Sequence, residues 1–148
     1  HFLCDREGAA HFGCAAGRGR RAAWSRPPVA RLSNLVITPG TTPRQDLESS
    51  LDHGLVVTRI GGATVDPVSY RIVLRVERGW EVRHGRRRRR LAPCELTGGV
   101  LKTLANIDPR IGDDPTPDWR LGWCLKDGVP LPTGSEAPSL LIWRMEIL

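Results

Sequence analysis

The sequence predicts an α+β, β-rich domain, mostly an antiparallel sheet or barrel-like, with two short helices. Twelve Pro and 16 Gly among 148 residues cut the chain into short elements. β-branched and alternating runs fill its middle, and apolar residues fall at helical spacing in only two windows. The length suits one core rather than two. With 40% hydrophobic and 26% charged residues the composition is that of an ordinary soluble protein. No window approaches the ~18 uninterrupted apolar residues of a membrane span.

Residues 1–26 are rich in Gly, Ala and Arg, include the basic stretch Arg18 to Arg21, and show no sustained period. They read as a loop or the severed end of a preceding domain, with the β-rich domain occupying 27–148. His1 in the first position, without an initiator Met or signal core, is read as the mark of a fragment. Leu35-Val36-Ile37 is a short strand closed by the Pro39-Gly40 turn. Thr42 as N-cap, Pro43 at the first helical position, Leu47 and Leu51 four apart and Gly54 as a stop predict a helix over 43–53. Leu55 to Ile60 reads as a strand ending at Gly61-Gly62, and Tyr70 to Val76 as a second strand with alternating Ile72, Leu74 and Val76. Trp80 to Val82 and Arg89 to Ala92 flank His84-Gly85 as a hairpin, so the middle of the chain is a meander. Val100, Leu101, Leu104 and Ile107 predict a second helix over 99–107, packed by that face on the sheet and stopped by Pro109. Gly128 to Pro138 reads as a Pro/Gly-rich loop, and Ser139 to Leu148 as a buried terminal strand.

The net charge is +6, carried by 20 Arg against 2 Lys. Aromatic residues are 5% of the chain, too few to interleave a basic nucleic-acid surface, so that partner class stays a weak third option. Arg86 to Arg90 has two readings, a localisation or phosphate-binding patch and a solvated edge strand, and charge runs favour the second. His1, His11, His53 and His84 form neither a zincin motif nor a close pair. Cys4, Cys14, Cys94 and Cys124 are too scattered for a disulfide framework, which predicts reduced thiols in a cytoplasmic setting. Cys124 stands in Gly122-Trp123-Cys124-Leu125-Lys126-Asp127-Gly128, where Lys126 could favour the thiolate by proximity. Taken alone, a Cys after Trp is more often a packed core residue.

A series of short matches alters that weighing. Pro28-Val29-Ala30-Arg31-Leu32-Ser33-Asn34 resembles the P-x-x-R-x-x-N segment of the TldD/PmbA metallopeptidases. Pro39-Gly40, Gly54-Leu55-Val56-Val57, Gly61-Gly62, Val65-Asp66-Pro67, His84-Gly85, Leu96-Thr97-Gly98, Ile107 and Gly112-Asp113-Asp114 follow in the family's order. Cys124, Lys126, Gly128, Pro132, Gly134 and Pro138 then match its C-G-K-x-G-Q-x-x-P-x-G-x-x-x-P block, with Leu125 and Val129 departing from its Gly and Gln. The resemblance spans about residues 13–148.

It implies the C-terminal domain of a zinc metallopeptidase that cleaves unfolded or extended peptides. Cys124 would be the zinc ligand contributed here, and Lys126 and Gly128 would line the substrate path. The H-E-x-x-x-H helix with its two His ligands and Glu base would lie outside this chain, so the 148 residues hold no catalytic residue of their own and are expected to be inactive alone. The implied partner is a PmbA-like subunit or a second copy. A catalytically silent PmbA-like subunit, with Cys124 merely structural, is the alternative.

Overall fold

The computed structural model describes residues 4–15, 17, 19–114 and 122–148. Arg18, the first member of the basic stretch, lies outside them. In chain order the elements are α1 (Arg6–Phe12), β1 (Gly19–Arg20), β2 (Val29–Ala30), β3 (Leu35–Val36), α2 (Arg44–Ser49), β4 (His53–Val65), β5 (Arg71–Arg83) and β6 (Arg86–Arg90). There follow β7 (Cys94–Gly99), α3 (Val100–Ala105), β8 (Ile107–Ile111), β9 (Gly122–Lys126), β10 (Val129–Thr133), β11 (Ser135–Glu136), β12 (Leu140–Ile142) and β13 (Glu146–Ile147). Contacts divide the chain into two units, His1–Thr38 with Thr116–Ala137, and Pro39–Pro115 with Pro138–Leu148. The α+β, β-rich class is as predicted. The sheets are predominantly antiparallel, and none closes into a barrel.

The second unit is organised by β5. β4 pairs along nearly its whole length, from Val65↔Ile72 to His53↔Arg83. Its other edge is shared: β7 takes Arg71 to Val76, and β6 takes Trp80 to Arg83. β13 adds to β7, completing the order β13-β7-β5-β4 with β6 beside β5. Val76 and Val82 of β5 are the apolar side chains most completely removed from water, joined by Val56, Leu96, Leu47 and Leu141.

Turn chemistry sets the register. Between β4 and β5, Asp66 accepts from the Val68 N–H at 2.8 Å and the Ser69 hydroxyl at 2.7 Å, closing an Asx turn. Between β5 and β6, His84 (φ 50°) and Gly85 (φ 69°) both sit in the left-handed region, as a type I′ hairpin turn demands. A Cβ on Gly85 would also run into the Ser49 backbone, so glycine is required there twice over. The turn is tied back by His84 N–H to Asp52 O at 2.6 Å and Gly85 N–H to Leu51 O at 2.7 Å.

The five consecutive arginines form β6 itself, exposed at every position as expected. Three are engaged within the unit. Arg87 meets Glu48 at 2.6 Å, Arg89 meets Glu81 at 3.2 Å, and Arg90 lies 5.4 Å above the Trp80 ring. Partial burial works against the Glu48 carboxylate, but hydrogen bonds from Arg87 and Arg44 outweigh it and hold the carboxyl below its usual range.

Several expectations are corrected. The first helix is shorter than 43–53: it spans Arg44–Ser49, with Pro43 rather than Thr42 at the N-cap and no side-chain cap. Gly54 is not a stop but part of β4, and β4 continues through Gly61-Gly62 by way of bulges between Val57 and Gly62. The second helix ends at Ala105, and Pro109 lies inside the short strand β8. Its apolar face does not pack: Leu101 is 76% and Leu104 57% exposed, and no residue of α3 is buried. Six residues give too few turns to turn a whole stripe inward. The terminal segment is two short strands, with Leu141 buried but Trp143, Ile147 and Leu148 exposed.

In the first unit a helix stands where the sequence showed no period. Asp5 caps α1 by accepting from the Gly8 N–H at 2.8 Å, and Gly13 (φ 61°) ends it in the left-handed conformation. The returning chain brings the Cys14 and Cys4 sulfurs to 3.5 Å. That hydrogen bond, with smaller contributions from burial and nearby charge, raises the Cys4 thiol pKa. All four cysteines are unbridged. Segment 128–138, read as a loop, holds strands β10 and β11.

Val76→Ala should cost about 2 kcal/mol, from two buried methylene equivalents plus a residual cavity, whereas Leu104→Asp at its exposed site should shift stability by less than about 0.5 kcal/mol. Urea unfolding of the two variants measures both. On β8, buried Asp108 accepts from the Arg110 guanidinium at 2.9 Å and 3.0 Å and from its N–H at 2.8 Å, and these bonds hold its pKa below the ordinary value. A depressed carboxyl contributes stability that is present above its unfolded pKa and lost as pH falls through its folded one. Thermal unfolding from pH 7 down to pH 2 should therefore be less steep for Asp108→Asn, which should also melt lower at neutral pH.

Candidate metal centre

The first unit carries Cys124, and a two-stranded ribbon presents it. β9 and β10 pair antiparallel in the register Lys126↔Val129, Cys124↔Leu131 and Gly122↔Thr133. The connection is Asp127 (φ 52°) and Gly128 (φ 73°), a second type I′ pair whose positive angles explain an Asp-Gly dipeptide at this point. Pro130 and Pro132 stand in β10, a position open to proline in a two-stranded ribbon with edges to spare. The Cys124 side chain, in mid-strand, is half-buried.

One stretch of chain grips this ribbon along its length. Lys126 Nζ donates to Ala30 O at 3.1 Å. The Arg31 guanidinium donates through one terminal nitrogen to Val129 O at 2.8 Å and Cys124 O at 3.4 Å, and through the other to Lys126 O at 3.0 Å. Arg20 bridges Leu32 O and Pro132 O at 2.8 and 2.9 Å. The Asn34 side chain accepts from the Gly134 N–H at 3.0 Å, and β3 pairs parallel with β11 just beyond. Arg31 is only 3% exposed, its acceptors are all backbone carbonyls, and its buried Nε meets no acceptor among the described residues.

The sequence-predicted site residues thus fall on one hairpin. Lys126 is exposed, with its ammonium committed to a carbonyl, and Gly128 occupies the turn. The two departures from the family block have structural room, since Leu125 is 70% exposed and Val129 flanks the turn. The residues that sequence reasoning passed over are Arg31, Arg20 and Asn34. Arg31 and Asn34 are the two polar letters of the P-x-x-R-x-x-N segment, a signal present but mute about their partners roughly a hundred residues on.

The donor set fits a single bond to a metal ion. A half-buried thiol on a fixed strand is a good soft ligand for zinc, yet no group of three or more His, Cys, Asp or Glu side chains is gathered among the described residues. Any ion held here would need its other ligands from elsewhere.

Residues 1–148 match the PmbA/TldA metallopeptidase C-terminal domain. The chain belongs to that family. It is 28% identical over 133 residues to a metalloprotease TldD homolog of Buchnera aphidicola, covering 90% of this chain and 27% of the relative. It is 33% identical over 143 residues to a metalloprotease of Synechocystis, covering 95% of this chain and 30% of that protein. Among solved structures, TldE from Thermococcus kodakarensis superposes with a TM-score of 0.69 at 18% identity, over 99% of this chain and 30% of that one, a likeness of fold. The chain therefore spans under a third of the length of these relatives. No helix of the described residues is long and apolar enough to cross a membrane.

The turn yields its own test. Gly128→Val should destabilise the hairpin by about 1–2 kcal/mol, the cost of a left-handed L-residue. Hydrogen exchange of the Cys124 and Leu131 amides, faster in the variant, would register it.

Proposed function

We propose that this domain supplies the Cys ligand of a zinc metallopeptidase that cleaves unfolded or extended peptides. The observation that carries the reading is Cys124, a half-buried thiol fixed in mid-strand on a hairpin whose sequence matches the family's cysteine block. The relatives named metalloprotease support the reaction class. In this reading the H-E-x-x-x-H helix belongs to another part of the full-length enzyme, and the domain alone is inactive.

The bound ion would supply a water of lowered pKa and polarise the scissile carbonyl. The domain's own residues do the rest of what falls to them. Cys124 delivers a thiolate from a strand held at several points. Lys126 stiffens the end of that strand through Ala30 O. Gly128 lets the ribbon reverse within two residues and keeps the turn free of side-chain bulk beside an incoming peptide. β4, an edge strand of thirteen residues, offers main-chain groups of the kind that capture extended peptides with little sequence demand. The enzyme is proposed to work in the cytoplasm, paired with a PmbA-like subunit or a second copy.

Full-length enzyme should carry about one zinc per Cys124-bearing chain, and the isolated 148 residues should bind it only weakly, because one thiolate cannot replace three or four ligands. Cys124→Ser should lower zinc content and peptide hydrolysis together, by more than the ~10–100-fold that changes outside the ligand shell cost, with the fold intact. Metal analysis and hydrolysis of an unfolded peptide on the two proteins decide it. Undiminished zinc and activity in Cys124→Ser would remove the reading.

A further inference from the structure

We propose that Arg31 is the positioning residue of this metal centre: its buried guanidinium holds the carbonyls of Cys124, Lys126 and Val129 and thereby sets where the Cys124 thiolate stands. The inference rests on the reading of Cys124 as a ligand.

A two-stranded ribbon is marginal in water on its own, so the attitude of β9 and β10 depends on what they are tied to. Among the described residues, Arg20, Asn34 and Lys126 make such ties at Pro132, Gly134 and Ala30, while Arg31 reaches the Cys124 peptide itself. Its contacts fall on both strands, with Cys124 and Lys126 on β9 and Val129 on β10, so one rigid planar group fixes their relative position next to the turn. Each carbonyl has two lone pairs and can accept from the guanidinium in addition to a ladder partner. The geometry is also costly to maintain. A guanidinium 3% exposed, satisfied by carbonyls alone and with Nε unpartnered among the described residues, is a charge that packing alone would not select. Such outlay is intelligible where a ligand must be held to a fraction of an ångström, as metal ligands must.

The test uses full-length enzyme with Co(II) in place of zinc, read by the near-ultraviolet absorption of the thiolate–cobalt bond and by competition with a chelator. Arg31→Met is expected to weaken cobalt affinity about 10–100-fold, in the range of outer-shell changes elsewhere, and to shift or weaken the thiolate band. Arg31→Lys keeps the charge on a compact head that cannot span both strands, and should fall between Met and the native protein. Should Arg31→Met fail to fold by circular dichroism, Arg31→Lys carries the test. Arg75→Met, at an exposed arginine of β5 that pairs with Glu95 in the other unit, should leave affinity and band within about twofold. Native affinity and an unchanged band in the folded Arg31 variants would overturn the inference while Cys124→Ser still abolishes the band. A Cys124→Ser protein that keeps the band would instead overturn the ligand reading and this inference with it.

Discussion

The unit that carries Cys124 depends on one buried cation. Its most enclosed described side chains are Ala9, Arg31 and Thr133, a set that contains a single small apolar residue. Hydrophobic burial at roughly 25 cal/mol per Å2 has little to act on there. Hydrogen bonds from a charged donor contribute about 1.5–3 kcal/mol each, and leaving their partners unmet costs more, so three carbonyls around Arg31 can do what a core does elsewhere. The trade has a structural consequence. Apolar packing tolerates small slips because it is non-directional, whereas a guanidinium between two strands fixes angle as well as distance. In the other unit apolar side chains predominate among the buried ones: Val76 and Val82 on β5 are sealed between neighbours, and the buried Thr97 hydroxyl beside them donates to Ile72 O.

What was legible in the sequence follows the same division. Where a period-2 or β-branched run met a sheet with real burial, as at Leu55 to Ile60 and Tyr70 to Val76, the pattern showed the strands, though not their full length. Gly61-Gly62 reads as punctuation because glycine weakens strands, but bulges let β4 pass through and keep pairing with β5. Val100, Leu101 and Leu104 announce a helix correctly and its packing wrongly, since spacing reports which residues share a face and not what covers that face. Helix α1 had both caps in view, Asp5 and Gly13, yet with Ala9 alone buried it lacked the hydrophobic period that would have located it.

At the candidate site the reading was nearest to the residues and furthest from their relations. Asp127-Gly128 is a strong hairpin signal, and it was masked by Pro130 and Pro132, which argue against a strand unless the strand has a free edge. Cys124 could be singled out because its neighbours form a matched block. Arg31 could not be joined to it, because a bond across 93 positions leaves no trace in local spacing. A buried arginine also runs against expectation, for residues of its kind almost never lie below the surface unpaired.

The two departures from the family block clarify what the hairpin requires. A turn with two positive φ angles constrains Asp127 and Gly128, residue types that accept those angles, and neither departure falls on them. The grip on the ribbon runs through backbone carbonyls at Cys124, Lys126 and Val129, which any side chain leaves in place. Leu125 points its bulk largely into solvent, and Val129 contributes its carbonyl whatever its side chain. Changes at 125 and 129 therefore alter the hairpin's outer surface without touching either the turn or the clamp. A side chain held through the main chain, as Cys124 is, is insulated from variation in the side chains around it, and that insulation is what a guanidinium-to-carbonyl clamp provides and a side-chain clamp would not.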